Sequence, residues 1–244
     1  MASDCQLTAG IEQDPPFHFT QGQQEIIGID AEILKLVGQQ IGCTIHFVER
    51  PWVRTIAELK SGSLDIAIGA SMKEERTHFA YYSPPYRGHP HVLFLKRDRS
   101  FSAASLESFL KQGQKLGIVR GWHYTNELRK LLDAPVYAKN IVVISRFELL
   151  LKMLDKQRLD GFLGNPSVAA SVFGISNLED RYTLVKADMD KLHFILSKKS
   201  VSKELSERFN NALTNLLEQG TFQSKCQKYR HHLKTNCSLL GIFN

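Results

Sequence analysis

The sequence predicts an α/β fold built as two lobes. Three observations carry that prediction. Apolar runs with strand character alternate with amphipathic helical runs, as a mostly parallel sheet requires. The alternating series starts twice, once near residue 5 and again near residue 115. The 244 residues, 43% of them hydrophobic, can form two cores of ordinary domain size. A charged fraction of 23%, mixed in sign along the chain, belongs to a folded soluble protein rather than a disordered one.

In order, "CQLTAGI" and "CTIHFVE" read as strands. Between them "GIDAEILKLVGQQIG" reads as an amphipathic helix, with Ile29, Ile33, Leu36, Val37 and Ile41 at helical spacing. "VRTIAELKSG" is a helix stopped at Gly62, and "LDIAIGAS" a buried strand. "HVLFLKR" is the next strand. After a polar stretch the second series runs "KLGIVRG", "FELLLKMLDKQRL" and "DGFLGN" as strand, helix and strand. "KLHFILSKK" then reads as a strand. "VSKELSERFNNALTNLLEQG" follows as a helix with Leu205, Phe209, Leu213, Leu216 and Leu217 on one side. No short-period repeat or low-complexity segment interrupts the pattern.

The net charge of +6 does not mark a nucleic-acid binder, because no run of five basic residues occurs. Such a balance suits capture of small anions or approach to an acidic membrane surface. No apolar stretch approaches the roughly 18 residues of a membrane span. "MASDCQLTAG" lacks the basic start and apolar middle of a signal peptide, and its first three residues read as an added start after removal of a signal.

Four cysteines, Cys5, Cys43, Cys226 and Cys237, allow three pairings. Local pairing of 5 with 43 and 226 with 237 is the economical one, and an even count arranged this way favours an oxidising compartment. "CQKYRHHLKTNC" also holds His231 and His232, but adjacent histidines on a helix face different ways, which argues against zinc. His89 and His91 form an H-x-H pair that would share one face of a strand, without cysteine or acidic neighbours in sequence to complete a metal site. No P-loop, dinucleotide fingerprint, HExxH or nucleophile elbow is present, and no cofactor is expected.

The ordered set "DPPFHF", "GIDAEILKLVGQQIG", "PWVRTIAELKSGSLDIAIGASMKEERTHFAYYSPPY", "KLGIVRG", "RLDGFLGN" and "LTNLLEQGTFQSKCQKY" resembles the family 3 extracellular solute-binding proteins, the amino-acid-type periplasmic binding proteins of ABC importers. The resemblance spans nearly the whole chain. It implies a type II periplasmic binding fold, with one lobe from residues 1–96 and 193–244 and the other from 97–192. Two strands would cross between the lobes, and a ligand would be held by hinge closure. It further implies a periplasmic monomer that hands a small carboxylate-bearing solute, an amino acid or related metabolite, to an ABC permease.

Residue by residue, Arg76 matches the family's carboxylate-binding arginine, whose planar fork of donors suits a carboxylate as a lysine does not. Lys73 stands where the family often has threonine. Gly69 and Ser71 match positions that contact the ligand through backbone and hydroxyl, although both are also ordinary turn residues. Trp52 and Phe17 are candidate aromatic walls, with core packing as the alternative. Asp14 aligns with the family's stacking aromatic and could pair with a basic group on the ligand. In the second lobe "GWHY" puts Trp122 and His123 where small hydroxyl residues are usual, adding an aromatic surface and a titratable donor. Asn165 replaces the aspartate that binds the α-ammonium in amino-acid-specific members, so that contact is the one most in question. Two other outcomes stay open: elimination chemistry like that of cyclohexadienyl dehydratases, with His123 as acid or base, and ligand sensing without transport.

Overall fold

The computed structural model describes residues 5–22, 25–97, 103–175, 177–229 and Cys237. The elements in chain order are β1 (Cys5–Ile11), β2 (Phe19–Gln21), β3 (Glu25–Ile27), α1 (Ile29–Ile41), β4 (Cys43–Glu49), α2 (Trp52–Ser61), β5 (Ile66–Ser71), α3 (Glu74–Thr77) and β6 (Ala80–Tyr82). They continue with β7 (Arg87–Lys96), α4 (Leu106–Lys111), β8 (Leu116–Val119), α5 (Asn126–Leu132), β9 (Ile141–Ile144), α6 (Glu148–Asp155), β10 (Gly161–Gly164), α7 (Pro166–Phe173), β11 (Tyr182–Ser197), α8 (Lys203–Glu218) and α9 (Thr221–Lys228). Described residues up to Gly88 and from Lys191 to Tyr229 form one compact unit, and His89–Asp190 form a second. The chain passes from one to the other inside β7 and inside β11.

In unit 1 the strand order is β4, β1, β5, β11, with β6 also on β11. β1 runs parallel to β4 and β5, whereas β11 is antiparallel to β5 and β6. α1 presents Ile33, Leu34 and Val37 to the core, all fully buried. A Cβ on Gly38 would lie 2.7 Å from Ile45 Cγ1 and 2.8 Å from the Cys43 carbonyl oxygen, so the helix lies against β4 closer than any side chain allows. Cys5 and Cys43 are register partners of β1 and β4 and are joined by a disulfide. Cys226 and Cys237 are also disulfide-bonded, and no described cysteine is free.

Unit 2 orders its strands β11, β7, β10, β8, β9, with β7 antiparallel to β10 and the β10, β8 and β9 neighbours parallel. Its sheet is covered on both faces. Val92, Phe94 and Phe162 enter one core with Phe147 and Leu150, while Leu93, Leu95 and Leu163 enter another with Phe109 and Leu116. That two-sided burial is why "HVLFLK" and "GFLG" carry no polar alternation. The structure lengthens one expectation: β11 begins at Tyr182, nine residues before the apolar "KLHFILS", because its first half is polar and only partly buried. The short helices α3, α4 and α5 have too few turns to show a helical period in sequence. The histidines at 231 and 232 lie outside the described residues.

Candidate functional site

In unit 1 the end of β5, the short α3 and the start of α2 bring Ser71, Arg76 and Trp52 together. Arg76 is 8% exposed; its Nη1 donates to the Ser71 carbonyl at 3.1 Å, and its guanidinium carbon stands 5.4 Å from the Trp52 ring centroid. The Trp52 amide donates to Glu12 Oε2 at 3.1 Å, which ties the first residue of α2 to the end of β1. The Tyr82 hydroxyl accepts from the Lys73 amide at 3.1 Å and donates to the Ser71 carbonyl, holding the β5 to α3 turn from beneath. Among the described residues Arg76 has no carboxylate partner. A nearly buried guanidinium with five donors thus satisfies only one of them on a neutral carbonyl.

Gly69 has φ 73° and marks a bulge in β5. Across from it, β11 steps from His193 to Ile195 while β5 steps from Ala70 to Ala67. The extra residue on β5 requires a left-handed conformation that glycine adopts freely, and it turns the strand just before Ser71.

Beside the bulge lies a buried ionic cluster that the sequence reading missed. The Arg87 Nε donates to both carboxylate oxygens of Asp30 at 3.0 Å. Tyr86 Oη donates to Asp30 Oδ2 at 2.6 Å, and His18 Nδ1 lies 3.3 Å from the same oxygen. Burial alone would raise the Asp30 carboxyl, but Arg87 and the hydrogen bonds from His18 and Tyr86 outweigh it and hold the carboxyl below its usual value. Burial also opposes the charge on Arg87, and the neighbouring acids overcome it, so Arg87 stays cationic. The same guanidinium lies 3.6 Å over the Phe17 ring, with Nη2 3.6 Å from Asp14 Oδ2. Phe17 is 3% exposed and packs under Arg87, while the Asp14 side chain keeps 45% of its exposure. Surrounding protein raises the Asp14 carboxyl against the pull of Arg87 and His18, and water at its open side tempers that rise. A signal for Asp30 existed: an acid at a core-facing turn of α1, between Ile29 and Ile33, needs a buried cation.

In unit 2 Trp122 stacks on Phe147 with centroids 4.9 Å apart, and Phe147 stacks in turn on Phe173. His123 Nε2 lies 3.4 Å from Asp190 Oδ2. Thr125 caps α5 by accepting from the Leu128 amide, and its hydroxyl donates to Asp188. Asn165 caps α7: its Oδ1 accepts from the Ser167 amide at 2.9 Å and from Val168 at 3.4 Å. Its Nδ2 lies 3.5 Å from His89 Nδ1. The acceptor of Asn165 is therefore spent inside the protein, and its amide donor faces His89 in a buried position. Continuing the β10 and β7 register from Gly164 and Val92 sets Asn165 opposite His91. His91 is 3% exposed, with Nε2 unpartnered. Burial keeps its imidazole below the usual value; Asp190 and Asp188 oppose that shift and His123 adds to it. No group of three or more metal-ligating side chains among the described residues is arranged to hold an ion.

The model of the bacterial extracellular solute-binding proteins, family 3, matches residues 7–232. The chain belongs to that family. A probable histidine-binding protein of Neisseria gonorrhoeae is 23% identical over 88% of this chain and 78% of its own length. An arginine-binding periplasmic protein of Mannheimia haemolytica is 24% identical over 88% and 86%. Among solved structures, the second substrate-binding domain of a putative amino acid ABC transporter from Streptococcus pneumoniae has a TM-score of 0.70 at 21% identity, covering 91% of this chain and 98% of that one. An ancestral amino-acid-binding protein described as a precursor of cyclohexadienyl dehydratase gives 0.64 at 22% identity, covering 92% and 94%. The fold is thus that of the type II periplasmic binding proteins. The curated relatives are named as binding proteins, and no described helix is long and apolar enough to cross a membrane.

Proposed function

We propose that the protein captures a basic amino acid, or a close carboxylate-bearing metabolite, outside the cytoplasm and delivers it to an ABC permease without chemical change. The observation that supports this most is Arg76: nearly buried, against Trp52, and bonded to the Ser71 carbonyl rather than to an acid among the described residues. A ligand carboxylate would take the remaining donors in a bidentate pair. Asp14, half open to solvent and backed by Arg87, is the acid suited to a cation on the ligand side chain. From unit 2, His123 and Trp122 would complete the enclosure on hinge closure, driven by tighter binding to the closed form. With the Asn165 oxygen occupied, an α-ammonium would have to be met by other acceptors.

Thermal shift against histidine, arginine and small dicarboxylates tests this. A true ligand stabilises the wild type in proportion to the logarithm of its concentration over Kd. Arg76→Ala should abolish the shift, and an unchanged shift in that variant overturns the assignment. A second reading, elimination chemistry with His123 as general base, draws on Asp190 lying 3.4 Å from its Nε2. Turnover of prephenate or arogenate would establish it.

A further inference from the structure

α2 buries Thr55 and Leu59, leaves Val53 and Ala57 exposed, and holds Ile56 half-buried, packed against the core with one side open. Val53, Ile56, Ala57 and Phe79 line an open groove of about 640 Å³ on unit 1. Val53 is 82% exposed. Lys60, His78 and Lys199 stand around this apolar floor, Arg76 also reaches it, and Glu75 is the one acid in the lining. Neither Lys60 nor Lys199 has an ion-pair partner among the described residues. Lys60 Nζ lies 5.9 Å from the Phe79 ring centroid. A Cβ on Gly62 would sit 2.8 Å from Lys199 Cβ, so the Lys199 stem rests against the bare end of α2.

A single exposed valine needs no explanation, but an apolar stripe bordered by unpaired cations matches an anion that carries an apolar body. We propose that this groove docks the headgroup of an anionic phospholipid at a bilayer surface. The phosphate would lie among Lys60, His78 and Lys199, with glycerol and upper acyl carbons against Val53 and Ile56. A free small anion fits less well, because ligand pockets enclose most of their ligand and this groove is open. A bilayer supplies its own cover, and its negative potential also attracts the net charge of +6.

Co-flotation of the full chain with vesicles tests the proposal. One set is phosphatidylcholine alone, and the other is phosphatidylcholine and phosphatidylglycerol in equal parts. Each basic residue near such a surface is worth about five-fold in partitioning. The wild type should float with the anionic vesicles at low salt and not with the neutral ones. Lys60→Glu with Lys199→Glu should cut that partitioning by roughly twenty-five-fold or more, and Val53→Asp by about ten-fold. Lys139→Glu with Lys156→Glu, an equal change of charge on unit 2, should leave it within a few-fold. Equal losses for both lysine pairs would mean that net charge alone acts, which overturns the site. So would absence of flotation, or a lysine-dependent shift given equally by glycerol phosphate in solution.

Discussion

Arg76 and Arg87 stand on the same unit and illustrate how differently two arginines can be held. Arg87 is held by acids: Asp30 takes its Nε, Asp14 lies beside Nη2, and Phe17 covers its face, while Nη1 is buried without a hydrogen-bond partner. Arg76 is not, and its position in a recognisable motif made it legible in the sequence, whereas the Arg87 cluster joins residues from 14 to 87 and needs the folded unit to be seen. Arg76→Lys keeps the charge but loses the fork. It should weaken the cognate ligand by about ten- to a hundred-fold in titration calorimetry, and a change under three-fold would mean that the guanidinium geometry is not used. Asn165 makes a separate prediction. As the cap of α7, Asn165→Ala should cost about 1 kcal/mol in denaturant unfolding, while Asn165→Asp, an equally good cap at a helix N-terminus, should cost nothing measurable. The aspartate also exchanges the amide donor that faces His89 for an acceptor, so it should tighten binding of a ligand with an α-ammonium.

At the scale of elements, periodicity identified α1, α2, α6 and α8 because each has enough turns to repeat an apolar stripe. It could not show how α9 is tied to α1. Glu32, in the first turn of α1, accepts from Lys228 Nζ at 2.6 Å and from Tyr229 Oη at 2.5 Å, with Lys225 Nζ at 2.9 Å. Burial would raise its carboxyl, but these three partners pull it from 4.5 down to about 2. The folded value is depressed, so the clamp is fully present above about pH 4.5 and is lost as pH falls towards 2. Lys228 is 60% exposed, and solvent there reduces the clamp to about 1–2 kcal/mol. Glu32→Gln should lower stability by that amount at pH 7 and by nothing near pH 2. A loss that persists at low pH would point to packing rather than charge. Gly38→Ala should cost about 1–3 kcal/mol at any pH, since its methyl group would meet the Cys43 carbonyl and Ile45.

At the scale of the molecule, the two-part α/β organisation was legible because strands buried on both faces read as unbroken apolar runs and the series visibly restarts. The strand that serves both units was half hidden, because the polar residues from Tyr182 to Asp190 carry no such run. The cysteines were legible as an even set, and the ladder explains the first pair. Cys5 and Cys43 already sit opposite each other in β1 and β4, so the disulfide adds little contact to the native state. Its effect falls on the unfolded chain, where it closes a loop of sequence separation 38. In the chain-entropy account such a closure is worth up to about 4 kcal/mol. For a chain of this size that corresponds to a fall in Tm of roughly ten degrees when Cys5→Ser and Cys43→Ser are combined. The Arg76 cluster is built on β5, α2 and α3 rather than on these cysteines, so the Kd of a cognate ligand at 25 °C should stay within about two-fold of the wild type. A Tm unchanged to within a degree or two would show that the unfolded chain keeps β1 and β4 together without the bond. A large loss of affinity at unchanged fold would show instead that the β1 and β4 pair carries strain to the binding site.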